Sequence, residues 1–238
     1  MGKQGNMKFI GTVENIIYYQ WKNIYAVRTK PTTVKQTGAS IEQSKLFGMA
    51  AHTGAVLRSL LKPALPNAKD RNMMRRFEQA IAGWLRTGAY NSNEPQNNLP
   101  FITGFEFNEQ SLLQNKCKLP VTVNRTQQNA ITVAIPALMP TKDIAAPSHT
   151  TKVTIKLRAA ACSMSDDNSS SSSGKQVTIA YNNTLLPAQK IKLPVTPVTG
   201  NITLILLALE YTVKKNGVEQ ILKDLKWLPA GIVGSMWS

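Results

Sequence analysis

The sequence is poor in the residue types from which most catalytic and metal sites are built. Its 238 residues include two cysteines and two histidines, which leaves almost nothing with which to bind a metal ion. No apolar run reaches the roughly 18–20 residues that a membrane-spanning helix needs, so we expect no membrane span. The hydrophobic fraction of 42% is nevertheless large enough for a buried core, which excludes a disordered or collagen-like chain.

Recognisable catalytic motifs are also missing. His52 and His149 lie neither in a Gly-x-Ser-x-Gly turn nor beside a cysteine, so neither is placed to activate a nucleophile. Asp166 and Asp167 adjoin a serine run that would not hold paired carboxylates rigidly. The sequence contains no phosphate-binding loop and no dinucleotide fingerprint. We therefore expect a protein that is not an enzyme and that carries no cofactor.

The one extreme property is the charge, because 28 basic residues oppose 13 acidic ones. Residues 1–95 hold 14 basic and 5 acidic residues, and residues 96–238 hold 14 and 8. The excess is thus spread over both halves, which favours a folded cationic surface and a partner such as nucleic acid or another polyanion. Alternation of basic and apolar residues predicts strands with a cationic outer face at Lys152–Arg158 and Lys190–Leu193. The candidate phosphate contacts are Arg71, Arg75, Arg76, Arg86, Lys152, Lys156, Arg158, Lys190 and Lys192. The alternative is a solvated surface that aids solubility and blocks unwanted strand pairing.

Residues 9–30 predict a β-hairpin. They are crowded with β-branched and aromatic side chains, and Lys22-Asn23 forms the predicted two-residue turn, with Asn23 able to adopt a positive φ. Pro31 ends the second strand because it cannot continue the ladder.

Two helices are predicted after the hairpin. The first begins at Ser40, whose hydroxyl would cap the helix, and ends before Pro63. The second runs from about Ala68 to Arg86, with a basic outer face. Its predicted core-facing residues are Phe77, Ile81 and Trp84.

Beyond the polar stretch at residues 90–100 the pattern is nearly all β. The predicted strands are Lys118–Asn124, Ala130–Ile135, Lys152–Ala160, Lys175–Tyr181, Lys190–Pro194, Asn201–Val213 and Val218–Trp227. Asn216-Gly217 predicts a hairpin turn, and Asp166–Gly174 predicts a mobile loop. The predicted fold class is therefore α+β, with a hairpin and two helices in residues 1–95 and an antiparallel β-sandwich-like domain in residues 96–238.

The hairpin carries a recognisable pattern. It comprises Gly-x-Val at Gly11 and Val13, then Tyr19, Trp21 and Lys22, then Tyr25, Val27, Arg28, Lys30 and Pro31, with Gln43 and Phe47 opening the next helix. In these residues the chain resembles a family of uncharacterised proteins from Bacteroidota, a domain of unknown function. The resemblance implies a hairpin, then helices, then a β-rich C-terminal region, and it implies no activity.

The start of the chain and its cysteines bear on the cellular compartment in which the protein is expected. No apolar segment follows the basic N-terminus, so a cleaved signal peptide is not expected. We expect a cytoplasmic origin, with release or an unconventional export route left open. Cys117 and Cys162 are expected as separate thiols, although the sequence leaves open whether the fold brings their Cα atoms within about 7 Å for pairing.

Two apolar regions suggest contact with other molecules. Residues 227–238 are almost uncharged, and the hairpin is rich in aromatic residues. Either region would dock on the chain's own core or on a second subunit. The candidate interface residues are Tyr18, Tyr19, Trp21, Tyr25, Trp227, Ile232, Val233, Met236 and Trp237. We therefore expect a structural protein that self-assembles through its apolar termini into a filament, tube or coat. The alternative is sequence-independent nucleic-acid binding by a folded basic surface.

Overall fold

The computed structural model describes the backbone of residues 2–3 and, with their side chains, residues 8–33, 36–65, 72–92, 94–125, 130–164, 170–195 and 200–238. It confirms the predicted α+β class with antiparallel sheets. Two compact units comprise residues 1–44 and 45–238, so the division falls inside the first helix and differs from the expected boundary near residue 95. None of the helices in these ranges is long and apolar enough to cross a membrane.

The first unit contains the predicted hairpin as part of a four-stranded sheet with strand order β1-β4-β3-β2. The strands are β1 (Gly2–Lys3), β2 (Gly11–Val13), β3 (Ile16–Trp21) and β4 (Ile24–Thr29). At the turn between β3 and β4 it is Lys22 that adopts the left-handed conformation, with φ 54°. The expectation that Asn23 would do so is therefore wrong, although the position of the turn is confirmed.

Helix α1 (Gly38–Leu61) begins two residues earlier than expected. The Ser40 amide donates a hydrogen bond to Thr37 Oγ1 at 3.2 Å, so Thr37 is the residue that caps the helix. Helix α2 (Met73–Leu85) buries one face completely. The residues on that face are Phe77, Ile81 and Trp84, as predicted. Residues 68–71 of the predicted second helix lie outside the described residues.

The larger unit combines a six-stranded and a three-stranded sheet, ordered β5-β13-β11-β8-β9, with β12 beside β11, and β10-β7-β6. The strands are β5 (Gln96–Asn97), β6 (Thr122–Arg125), β7 (Ile131–Ile135), β8 (Thr150–Ser163), β9 (Ser170–Ala180), β10 (Gln189–Leu193), β11 (Asn201–Lys215), β12 (Val218–Ile221) and β13 (Ala230–Trp237). Two single-turn helices lie between them, α3 (Leu113–Lys116) and α4 (Pro140–Asp143).

Strand β11 separates two apolar cores. Leu204 and Leu206 face the core that includes side chains of α1 and α2. Ile205 and Leu207 face the other core, which includes side chains of the three-stranded sheet. A strand covered on both faces requires a continuous apolar run, and this explains why β11 shows no polar alternation. The six-stranded sheet of the larger unit is thus covered by the three-stranded sheet on one face and by α1 and α2 on the other.

Two segments that the sequence assigned to loop or tail are strands. Ser170–Gly174 pairs with Arg158–Cys162 at the edge of the six-stranded sheet, so the prediction of a mobile loop is wrong for these residues. Residues 166–169 of that predicted loop lie outside the described residues. The apolar tail is β13, which pairs with β11 on one side and β5 on the other. Asn216 and Gly217 have φ values of 51° and 83°, and the predicted hairpin turn is confirmed.

The cysteines are free thiols on opposite faces of the large sheet. Cys162 lies in the core on the helical face, and Cys117 packs against the other core. Burial raises the pKa of the Cys162 thiol to about 12 and raises the pKa of Cys117 as well. Because the thiolate is the nucleophilic form, neither cysteine is poised for catalysis.

Candidate assembly surface on the aromatic sheet

The four-stranded sheet of the first unit, called here the aromatic sheet, exposes large apolar side chains at its turns and strand ends. Among the described residues, seven of the thirteen exposed large apolar side chains fall within residues 1–44. In the same range Ala26 is the one buried apolar residue that the structure describes. This concentration of exposed apolar side chains in one small unit makes its sheet the candidate interaction site.

Strand register divides these side chains between two faces. Val13 lies opposite Ile16, and Tyr18 lies opposite Val27. Because alternate residues point to opposite faces, these four residues share one face with Tyr25, called here the Val13 face. The opposite face, called the Trp21 face, contains Ile17, Tyr19, Trp21, Ile24 and Ala26.

Each face ends in an exposed cross-strand pair beside a tight turn. On the Val13 face, Val13 and Ile16 are 50% and 40% exposed. On the Trp21 face, Trp21 and Ile24 are 55% and 41% exposed. Directly opposed side chains act as one unit on a sheet surface, so each face presents a compact apolar contact.

Cations lie over the aromatic rings of both faces. The Arg28 guanidinium is 5.6 Å from the centre of the Tyr19 ring, and the Lys22 ammonium is 5.4 Å from that of Trp21. On the Val13 face the Lys8 ammonium lies 5.4 Å from the Tyr25 ring centre. These cation–π contacts hold charge beside exposed aromatic surface.

The predicted C-terminal interface residues are placed differently. Ile232, Met236 and Trp237 are buried in the larger unit, where the Trp237 ring packs 5.4 Å from that of Trp84. Val233 and Trp227 are partly buried and pack against the second core. The Trp227 ring also holds the Lys116 ammonium at 3.4 Å. The prediction that this segment forms an exposed interface is wrong, because β13 fills its own sheet.

Several predicted phosphate contacts already have partners within the chain. Arg76 donates to the Glu106 carbonyl and pairs with Glu109 at 3.1 Å. Arg158 donates to the Leu60 carbonyl and to Ser172 Oγ. Each of these arginines directs two of its five donors to partners within the chain, which leaves fewer donors for a phosphate.

The two β8 lysines are neutralised in the same manner. Lys152 pairs with Glu219 at 2.6 Å, and Lys156 pairs with Glu210 at 2.7 Å. The alternation predicted for this strand is confirmed, since Val153, Ile155 and Leu157 are buried. The expectation of a free cationic face is wrong, because the acidic partners come from β11 and β12.

The remaining predicted cations are exposed. Arg75 and Arg86 are exposed on and just after α2, and Lys190 and Lys192 project from the outer face of β10. They lie on different elements and form no common group that the structure describes. Arg71 lies outside the described residues.

Sequence reasoning named the aromatic residues of the sheet but missed its exposed aliphatic residues. Phe9, Val13, Ile16 and Ile24 all border a turn or a strand end. The available signal was the apolar residues that flank the Glu14-Asn15 and Lys22-Asn23 turns.

No group of three or more acidic, histidine or cysteine side chains converges as metal ligands would in the residues that the structure describes. Comparisons of the chain with protein-family models, curated proteins and solved structures found no match. The resemblance of the hairpin to a Bacteroidota family stays a prediction.

Proposed function

We propose that the protein is a non-enzymatic structural protein that self-assembles into a homo-oligomer through its aromatic sheet. The observation that carries the proposal is the exposure of an apolar cross-strand pair on each face of that sheet. Fully burying one such side chain contributes about 1.5–3 kcal/mol. A contact that covers several of them would offset part of the cost of association.

A second copy of the chain suits this surface because the surface is apolar and its cations lie against its own rings. Lys8, Lys22 and Arg28 each lie over an aromatic ring of the sheet. An apolar patch of a neighbouring copy would thus meet apolar side chains, while the cations beside those side chains keep their charge and repel one another. The same patch on both partners is what a two-fold interface requires.

The presence of two apolar faces favours an extended assembly. If one face pairs with its counterpart, the product is a closed dimer. If each face forms its own contact, every copy has two neighbours and the chain of contacts continues into a filament, tube or coat. The Val13 face and the Trp21 face can be separated by mutation because their exposed pairs lie at opposite ends of β3.

The test is light scattering over a concentration series, together with negative-stain microscopy. The V13S/I16S variant removes one exposed pair and the W21S/I24S variant removes the other. Leu185→Ser is the matched control, because Leu185 is 63% exposed and lies outside the sheet. We expect assembly in the wild type and in the control, shorter assemblies or dimers in either double variant, and monomers when the two are combined.

A strictly monomeric wild-type protein at high concentration would contradict the proposal. Salt gives a further check. Each copy carries a formal charge of +15, so added salt should screen the repulsion between copies and strengthen an apolar contact. Assembly that weakens steeply with salt would indicate electrostatic attraction instead.

A second candidate function is binding of single-stranded nucleic acid, favoured by the cation–aromatic pairs of the aromatic sheet. Aromatic rings stack with bases, and nearby Lys and Arg contact phosphates. In this candidate the β8 lysines are not the phosphate contacts, because both are paired with glutamates. The contacts are two cation–aromatic pairs, Lys22 with Trp21 and Arg28 with Tyr19.

Fluorescence anisotropy with a labelled oligothymidine tests this candidate. We expect binding at about 50 mM salt that falls steeply by about 200 mM. K22A/R28A should weaken it about tenfold, whereas K190A/K192A, which removes two exposed lysines of β10, should change it less than twofold. Equal losses in the two variants would show that net charge alone is responsible.

A further inference from the structure

A cavity of about 410 Å³ lies within the larger unit, and residues of that unit alone line it. One wall is the segment that follows α1, from Lys62 to Leu65. The other walls are strands β8 and β11 and the chain from Ile221 to Lys223 at the end of β12. A volume in this range is typical of sites for small molecules, which run from about 300 to 1,000 Å³.

The walls combine apolar side chains with charged ones. The apolar part is formed by Pro63, Leu65, Ala208, Ile221, Leu222 and Leu228. Ala208 and Leu228 are buried, whereas Ile221 at the rim is 52% exposed. An exposed isoleucine beside a concave apolar surface gains from contact with an apolar ligand.

Four charged side chains also line the cavity, namely Lys62, Lys156, Glu210 and Lys223. Lys156 Nζ lies 2.7 Å from Glu210 Oε2, and both side chains are largely buried. This pair is internally neutral. Lys62 and Lys223 are exposed at the rim, and neither has an ion-pair partner within the part of the chain that the structure describes. The cavity therefore has a net positive charge.

We propose that this cavity binds a small amphiphile with a carboxylate head, such as a medium-chain fatty acid. The apolar walls would hold the hydrocarbon chain, and Lys62 and Lys223 would hold the carboxylate. Two ammonium groups on flexible stems suit a singly charged head, since lysine acts as a compact point charge.

Isothermal titration with decanoate below its micellar concentration tests the proposal. We expect one saturable site per chain, with binding at least tenfold weaker for decanol and for decyltrimethylammonium, which share the chain but lack the negative charge. K62E/K223E should weaken decanoate binding at least tenfold. The matched control, K190E/K192E, makes the same change of net charge on β10 and should leave the affinity within twofold.

Glu210→Gln gives a readout of the opposite sign. It frees the Lys156 ammonium from its acidic partner, so decanoate should bind three- to tenfold more tightly, provided that circular dichroism shows a native fold. Absence of saturable binding would overturn the proposal. So would equal affinities in the wild type and in K62E/K223E, or equal affinities for decanoate and decanol. The V13S/I16S and W21S/I24S variants do not alter the cavity lining and should bind decanoate normally. Decanoate binding and self-assembly are therefore tested separately.

Discussion

In the aromatic sheet Ala26 is the only buried apolar side chain among the described residues, whereas in the larger unit β11 is buried along most of its length. Both regions are rich in β-branched and aromatic residues. The larger unit covers such residues with helices on one face and a second sheet on the other. Apolar strands thus carry the proposed interaction surface only where the described residues leave their side chains exposed.

The strongest test of this contrast compares two tryptophans. Trp237 is buried against Trp84, and its Nε1 donates to the Ser92 carbonyl at 3.1 Å. Trp237→Ala should lower the free energy of unfolding by about 3–5 kcal/mol, since it opens a cavity in the core. Trp21→Ala removes an exposed ring and should cost less than about 1 kcal/mol. Urea unfolding at low protein concentration measures the free energy of unfolding of both variants. Similar losses of stability in the two would contradict the contrast between the two regions.

A pair of glycines tests how tightly β13 is packed. A Cβ at Gly234 would lie 2.9 Å from Val123 Cγ2, and the stiff β-branched side chain has little freedom to move away. Gly234→Ala should therefore destabilise the protein by about 1–3 kcal/mol.

Gly48 provides the control, because nothing lies within 4 Å of its added Cβ on the exposed side of α1. Gly48→Ala should stabilise the protein by about 0.5–1 kcal/mol. Both effects can be read from the same thermal or urea unfolding series. A neutral Gly234→Ala would show that β13 is looser than the structure indicates.

Two lysines distinguish charges that serve the fold from charges that face solvent. Lys156→Met leaves the Glu210 carboxylate partly buried without its partner and should cost about 1–2 kcal/mol, less than for a fully buried pair because water reaches the site. Lys190→Met, on the exposed face of β10, should change stability by less than about 0.5 kcal/mol. A double-mutant cycle with Glu210→Gln checks that the loss comes from the pair.

The smallest expected effect is a dependence of stability on pH at Glu106. Burial raises the pKa of this carboxyl, although its oxygens accept hydrogen bonds from the Leu113 and Gln114 amides at 2.8 and 3.2 Å. Since the folded state binds the proton more readily, the contribution of Glu106 is greatest below its unfolded pKa. That contribution is lost as pH rises through the folded pKa.

Melting temperatures between pH 4 and 8 should therefore show a falling component in the wild type that is absent in Glu106→Gln, even if the variant melts lower overall. Glu14→Gln, at an exposed turn of the aromatic sheet, controls for the removal of one acidic charge. An unchanged profile in Glu106→Gln would contradict the assignment.

Local chemistry made much of the fold predictable. The Asn216-Gly217 turn, the buried face of α2 and the alternation of β8 follow from short-range patterns that tertiary packing reinforces. The tail at residues 230–237 was misjudged because a strand covered on both faces lacks the alternation by which half-exposed strands are recognised. The serines at 170–173 were misjudged because strand pairing outweighs their weak intrinsic preference.

The candidate sites were less predictable because their partners are distant in sequence. Lys156 meets Glu210, and Arg158 meets Leu60 and Ser172. Basic residues that look free in the sequence are therefore neutralised by contacts that only the fold creates. The aromatic residues of the sheet were identified from sequence because they lie in a local hairpin, whereas their exposure is seen only in the fold.

The pairing of β5 with β13 also sets the order in which the chain acquires structure during synthesis. Met236 lies opposite Asn97, so this edge of the sheet joins residues about 140 positions apart. Non-local pairings of this kind form slowly because a long loop must close first. The hairpins of the aromatic sheet can form soon after they leave the ribosome. The larger unit cannot complete its sheet until residue 237 has been made, so one edge of β11 lacks its β13 partner until then.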